Sequence, residues 1–121
     1  MKEGAEKDRF LINQILRYID QCLSHSNYPD SESLSKAIDD FTIVQRDLEQ
    51  IGEGVKALSN DGKDFLRKND IPVEAIVGFR NHLAHPYFDF DPGFVFPVCK
   101  NNIVPLRKAL FSYLMTLPEN K

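Results

Sequence analysis

The chain is poor in the residues that mark several classes of protein. Among its 121 residues there is no tryptophan, and there are only two cysteines and three histidines. Its 15 Lys and Arg residues are outnumbered by 18 Asp and Glu residues, which leaves a formal net charge of −3. This balance argues against a protein that coats nucleic acid by bulk attraction, because such binding needs a strongly basic surface. It leaves room for a small local site for RNA.

Long apolar stretches are also missing. No apolar run approaches the roughly 20 residues that a membrane-spanning helix needs, and the charged start lacks the apolar middle of a secretory signal. Both features predict a cytoplasmic protein. Cys22 and Cys99 form no CxxC pair and no ligand cluster, so free thiols are expected in that compartment. The length and the 42% hydrophobic content predict one domain over residues 1–121.

Helical periodicity dominates what is present. Apolar residues recur at steps of three and four over residues 10–23, 34–58 and 103–117, and a shorter helix is predicted over 73–84, ended by Pro86. Residues 59–62 are expected to form a loop, and residues 86–97 an irregular crossover with one helical turn after Asp91. Ser31 or Ser33 is expected to cap the second helix. This pattern predicts an all-α, antiparallel bundle of four to five helices.

Two glycines interrupt the strongest helical pattern near its end. Gly52 and Gly54 each cost a helix interior roughly 1 kcal/mol relative to alanine. Either another backbone approaches closely at these positions, or the end of the helix frays. The sequence leaves both possibilities open.

Residues with catalytic potential are concentrated in residues 80–87, which read RNHLAHPY. Glycine-rich phosphate loops, HExxH and GxSxG are absent from the sequence. Arg80 offers planar donors that match a phosphate, and His85 titrates near neutral pH. Together they can cleave RNA without a metal, because the histidine helps the 2′-hydroxyl attack while the arginine stabilises the phosphate charge. On a straight helix these side chains point about 140° apart, so they meet only if the helix loosens at Pro86 or a second subunit contributes its own copy.

The same residues allow other interpretations. They can be solvated polar residues at a helix end. His82 and His85 form an HxxH pair that could bind a metal with Asp89 or Asp91, although a third strong ligand is lacking.

Two glutamates upstream are four residues apart on one helical face. Glu49 and Glu53 either belong to a solvated charged face, or one of their carboxylates orients Arg80 or Asn81 from the neighbouring helix.

Several of these elements occur together in an order that resembles one family. Residues 48–54 (LEQIGEG) are followed downstream by Ile71-Pro72 and then by residues 79–88 (FRNHLAHPYF). This arrangement resembles the HepT toxins of the HEPN superfamily, which carry an Arg-Asn motif, a histidine five residues after the arginine, and a tyrosine two residues further on. The resemblance extends from the first helix to the last.

The resemblance implies an all-helical homodimer that acts as a metal-independent endoribonuclease toxin in a type VII-like toxin–antitoxin system. It needs no cofactor, and its active site lies in the cleft between subunits. Arg80 and His85 are then the catalytic residues, with Asn81 and Glu53 in support. The implied partner is a small, MntA-like nucleotidyltransferase antitoxin that attaches AMP to Tyr87. The alternative is a non-catalytic module that binds a substrate for such a nucleotidyltransferase or docks on it.

Overall fold

The computed structural model describes residues 2–79 and 92–118, which contain helices and connecting turns but no strand. The prediction of an all-α bundle is confirmed. The helices are α1 (Lys2–His25), α2 (Ser31–Lys36), α3 (Ile38–Ala57), α4 (Asn60–Lys68), α5 (Val73–Val77), α6 (Pro92–Val98) and α7 (Val104–Thr116), and a π-helical turn (Cys99–Ile103) joins α6 to α7. None of the described helices is long and apolar enough to cross a membrane.

Helices α1 and α3 form the central antiparallel pair. Gly54 faces Ile15 near one end of the pair, and Gln21 contacts Asp47 nearer the other. Their apolar faces meet because the residues that recur every three or four positions lie on one side of each helix. Each fully buried aliphatic side chain contributes roughly 1.5–3 kcal/mol. The core of these two helices contains Ile12, Ile15, Leu16, Ile19, Val44, Leu48, Ile51 and Val55.

Helix α7 lies along α1, also in the antiparallel direction. Arg107 donates to Asp20 at one end, and the Tyr113 hydroxyl donates to Asp8 at the other end over 2.7 Å. The shorter helices pack around this frame: α4 on α7, α5 on α3, and α6 on α2.

A buried carboxylate ties three of these helices together. Asp8 of α1 accepts from the backbone N–H of Ser59 over 2.8 Å and from the hydroxyls of Ser59 and Tyr113. Ser59 also caps α4, since its Oγ accepts from the N–H of Gly62. The prediction that residues 59–62 form a loop is therefore wrong, because Ser59 starts a helix at Asn60.

The long helix predicted over residues 34–58 is broken near its start. Ala37 leaves the helical region with φ −83° and ψ 75°, which ends α2 before α3 begins. The expected cap is also wrong: Asp30, not Ser31 or Ser33, caps α2 by accepting from the N–H of Ser33 over 2.8 Å. An aspartate carboxylate is as good an N-cap acceptor as a serine hydroxyl, so residue type alone did not decide between them.

The second irregular region was predicted too long. Residues 92–98 form helix α6, which begins at Pro92, where a proline ring suits the first turn. Pro105 lies in the first turn of α7. A proline ring clashes with the carbonyl four residues earlier, here that of Asn101, and this carbonyl lies within the π-helical turn. We attribute the wider turn to this proline.

Candidate functional site

The described chain leads into the candidate catalytic segment at a tightly packed point. Phe79, the last described residue before it, is only 2% exposed. A Cβ atom on Gly52 of α3 would lie 2.8 Å from the carbonyl oxygen of Ile76 and 3.7 Å from the Cβ of Phe79. Gly52 thus allows the backbone at the end of α5 to lie directly on α3. At Gly52 the expected close approach of another backbone is therefore observed.

The second glycine serves a different contact. A Cβ atom on Gly54 would lie 2.4 Å from Cγ1 of Ile15 in α1, so this position is also crowded. Helix α3 continues to Ala57, past both glycines, and the alternative of a frayed end is wrong. One glycine lets α5 approach α3, and the other lets α1 approach it.

Glu49 and Glu53 are half-buried on α3, so neither belongs to a fully solvated face. Glu53 directly follows Gly52, at the level where the end of α5 meets α3. Of the predicted site residues, it is the one that the structure describes.

The remaining predicted site residues lie outside the described ranges. These are Arg80, Asn81, His85 and Tyr87, and with them His82, Asp89 and Asp91 of the metal-binding alternative. Their roles stay predictions. Within residues 2–79 and 92–118, no three His, Cys, Asp or Glu side chains are grouped so that they could hold a metal ion.

After residues 80–91 the described chain resumes at helix α6. Helix α6 packs on α2, and its Val95 and Val98 are buried in the core. The two flanks of the candidate segment are therefore held by different elements, Phe79 by α3 and α6 by α2.

A buried carboxylate on α3 was missed by sequence reasoning. Asp47 is 1% exposed, and the Gln21 side chain donates to its Oδ1 over 3.0 Å. Its Oδ2 is buried and has no hydrogen-bond partner among the described residues. Burial raises the pKa of Asp47 to about 6. The burial of Asp47 could have been predicted from its spacing. It lies three residues after Val44 and four before Ile51, on the apolar side of α3.

The two cysteines are isolated in the sequence but adjacent in the fold. Cys22 of α1 and Cys99 of the π-helical turn are both fully buried free thiols, and their Sγ atoms lie 3.6 Å apart. Sequence spacing cannot reveal this contact, since 77 positions separate the two residues.

A further polar cluster holds the turn after α1. His25 Nδ1 lies 2.8 Å from Oδ1 of Asp40, and the Tyr28 hydroxyl donates to Oδ2 of the same carboxylate. The Tyr28 hydrogen bond, followed by that of His25, lowers the pKa of Asp40. The cluster links the end of α1 to the first turn of α3 and leaves all three side chains partly accessible to solvent.

The fold is the all-helical bundle that the HEPN resemblance implies. The sequence also carries the Arg-Asn-…-His pattern of that resemblance at residues 80–85. Comparison with known proteins gives the same assignment. The sequence pattern of the family described as ribonuclease HepT-like matches residues 15–112. The chain belongs to this family, and the prediction of an endoribonuclease is confirmed at the level of the family.

Similar proteins occur in Methanocaldococcus jannaschii. One, named "Putative RNase MJ0125", is 32% identical over 110 residues, which is 89% of this chain and 91% of the relative. Another, named "Putative RNase MJ1216", is 32% identical over 99 residues, covering 80% of this chain and 78% of the relative. No solved structure matches the chain significantly.

Proposed function

We propose that this protein is a metal-independent endoribonuclease toxin that cleaves RNA at a composite site of Arg80 and His85 in the cleft of a homodimer. The observation that carries the proposal is the match to the ribonuclease HepT-like family over residues 15–112, a range that includes both residues. We place this activity in the cytoplasm, where RNA is the available substrate.

The chemistry follows from the two side chains. Neutral His85 accepts the proton of a ribose 2′-hydroxyl, whose oxygen then attacks the adjacent phosphorus. Arg80 donates to the phosphate oxygens and stabilises the charge that develops on them. The 5′-oxygen of the next nucleotide leaves and takes up a proton, so the products are a 2′,3′-cyclic phosphate and a 5′-hydroxyl.

The described chain ends just before this segment at a buried residue. Phe79 is buried against α3, and Arg80 is the next residue in the chain. Glu53 lies on α3 beside that contact, which makes its carboxylate a candidate for orienting Arg80 or Asn81. Charge-assisted hydrogen bonds of this kind hold an arginine in one geometry.

Single substitutions test the catalytic roles. Arg80→Ala and His85→Ala are each expected to lower RNA cleavage by roughly 10²–10⁴-fold, the usual effect of losing a general acid or base or a phosphate contact. Their circular dichroism spectra and unfolding midpoints should match those of the parent. A variant that folds normally and cleaves like the parent removes that residue from the mechanism. A parent protein that binds the nucleotidyltransferase but never cleaves RNA favours the docking-module alternative.

A mixing experiment tests the composite site. If each site takes Arg80 from one subunit and His85 from the other, a heterodimer of the Arg80→Ala and His85→Ala chains retains one intact site. Random exchange of equal amounts should then restore about a quarter of the parent activity, since half of the twofold dimers are mixed and each has one working site. No restoration, with subunit exchange verified by differently tagged chains, means that both residues act within one chain.

The proposal includes silencing by a nucleotidyltransferase antitoxin that attaches AMP to Tyr87. A phosphate group near Arg80 would occupy the place of the substrate phosphate and repel the RNA backbone. This step is tested below with the Tyr87→Phe variant.

A further inference from the structure

Two thiols meet inside the bundle, at a place that the proposed RNA site does not use. Cys22 and Cys99 are fully buried, and their sulfur atoms are 3.6 Å apart. A disulfide has a sulfur–sulfur distance of about 2.05 Å, so the two atoms need to approach by about 1.5 Å. Small rotations of the two side chains cover such a distance without moving either helix.

Other polar groups border the thiols. Ser26, the residue just after the end of α1, is fully buried and interacts with the Cys99 thiol. The Asp47 carboxylate lies close enough for its charge to raise the pKa of both thiols. The pair therefore lies in a polar pocket within the core, unlike cysteines that serve only as small apolar residues.

The two thiols differ chemically. The hydrogen bond between them lowers the pKa of Cys99, whereas the same hydrogen bond, together with burial, raises the pKa of Cys22. The geometry allows either thiol to donate in this hydrogen bond. Because the thiolate is the nucleophile in thiol chemistry, Cys99 is the residue that reacts first.

We propose that Cys22 and Cys99 form a reversible dithiol–disulfide site whose oxidant is a small peroxide. The Cys99 thiolate attacks one peroxide oxygen, the O–O bond breaks, and a sulfenic acid and hydroxide result. The Cys22 sulfur then attacks the sulfenic sulfur, a disulfide forms, and hydroxide leaves. The protons of the two thiols convert both hydroxides to water, so two thiols and one hydrogen peroxide give one disulfide and two waters.

The burial of the two thiols determines which oxidants can reach them. Both thiols are inaccessible to solvent, so a bulky disulfide such as oxidised glutathione cannot reach either sulfur in the folded protein. Hydrogen peroxide is little larger than water, so a small local opening of the core is enough to admit it. In a reducing compartment the site rests as the dithiol, which agrees with the free thiols of the structure.

The disulfide would join two elements that precede and follow the candidate segment in the chain. It would bond α1 to the π-helical turn between α6 and α7, and the closed loop would include residues 80–91. Oxidation would therefore attach the π-helical turn, which follows α6, covalently to α1.

The test exposes the folded, reduced protein to hydrogen peroxide and maps its peptides by mass spectrometry. We expect loss of two hydrogens from the intact chain, a peptide that links Cys22 to Cys99, and reversal by dithiothreitol. The circular dichroism spectrum should stay unchanged. The same treatment in denaturing urea should give a larger share of over-oxidised and interchain products, because an open chain does not hold the two thiols together. Oxidised glutathione should leave the folded protein unmodified.

Two matched variants test the order of reaction. In Cys22→Ala, Cys99 should stop at the sulfenic acid and be trapped by dimedone added together with denaturant, whereas in Cys99→Ala the Cys22 thiol should stay reduced under the same exposure. The proposal is overturned if the folded parent keeps both thiols, if both reach sulfinic acid without a link, or if the link joins two chains. The parent peptide map decides the matter even if a variant fails to fold.

Discussion

The buried carboxylate of Asp47 makes a sharp prediction about stability. Asp47 is 1% exposed, its Oδ1 accepts from Gln21, and its Oδ2 has no hydrogen-bond partner among the described residues. The Asp47→Asn substitution keeps the size and shape of the side chain and its Oδ1 acceptor, but removes the charge. We expect this variant to be more stable than the parent at neutral pH.

The magnitude follows from the raised pKa. Burial raises the pKa of Asp47 from 3.8 to about 6, so the fold favours the neutral carboxyl. The stability contributed by this preference is complete below the pKa of the unfolded chain and is lost as the pH rises through about 6. A shift of about two units corresponds to about 3 kcal/mol. At pH 7 the ionised carboxylate thus costs up to that amount, and asparagine should recover roughly 1–3 kcal/mol.

Urea unfolding followed by circular dichroism, repeated from pH 4 to pH 8, measures this effect. The advantage of Asp47→Asn over the parent should be close to zero near pH 4, grow until about pH 6 to 7, and then level off. An asparagine variant that is less stable than the parent at pH 7, or whose advantage does not change with pH, would refute the reasoning.

The other buried aspartate is the matched control. Asp8 is also inaccessible, but its carboxylate accepts hydrogen bonds from Ser59 and Tyr113. In Asp8→Asn the amide group can take the position of an acceptor, where it meets donors. This substitution should therefore destabilise the fold by about 1–3 kcal/mol at pH 7, the opposite sign to Asp47→Asn.

Three other predictions concern packing, catalysis and regulation. Gly52→Ala should lower the free energy of unfolding by about 1–3 kcal/mol in urea titrations, because its Cβ would meet the Ile76 carbonyl at 2.8 Å. Gly54→Ala should lower the free energy of unfolding less, since there a side chain and not a backbone carbonyl must move. A loss for Gly54→Ala that equals or exceeds that of Gly52→Ala would contradict this reasoning. RNA cleavage should persist in EDTA, as an assay with a fluorescent RNA can show; activity that disappears and returns with a divalent ion would instead favour the His82–His85 metal site. Tyr87→Phe should cleave RNA but accept no AMP from the nucleotidyltransferase and ATP, measured by intact mass, and modification equal to the parent would place the acceptor elsewhere.

Helical periodicity carried the prediction of the fold. Eight residues from Leu34 to Leu58 were expected on one inward face. Ala37 and Phe41 are partly buried, and the other six are buried: Leu34, Val44, Leu48, Ile51, Val55 and Leu58. This works because burial of apolar side chains is the main favourable contribution to folding, and it imposes the helical repeat on the sequence.

Breaks and caps were harder to predict. Nothing in the residue type of Ala37 marks the end of α2, since alanine is a good helix former. Ser59 and Asp30 cap helices, but the same residue types are common in loops, so local sequence does not separate the two cases. These boundaries depend on how the short helices pack on the long ones.

The candidate RNA site was predicted from the chemistry and order of Arg80, Asn81, His85 and Tyr87. Its geometry remains a prediction. The structure added the contact that leads into the segment, where Gly52 lets the end of α5 rest on α3. A glycine within a helix indicates that another element approaches closely, but the sequence does not tell which element this is.

The amino-acid sequence alone determined three things: the all-helical class, the inward faces of the long helices and the chemical identity of the candidate catalytic residues. Each of these depends on residue types and on spacing within one segment. Tertiary structure alone decided that Cys22 meets Cys99, and that Asp47 is buried at a pKa of about 6. Those properties arise between residues that are far apart in the chain. Their distances and their desolvation exist only once α1, α3 and the π-helical turn have packed together.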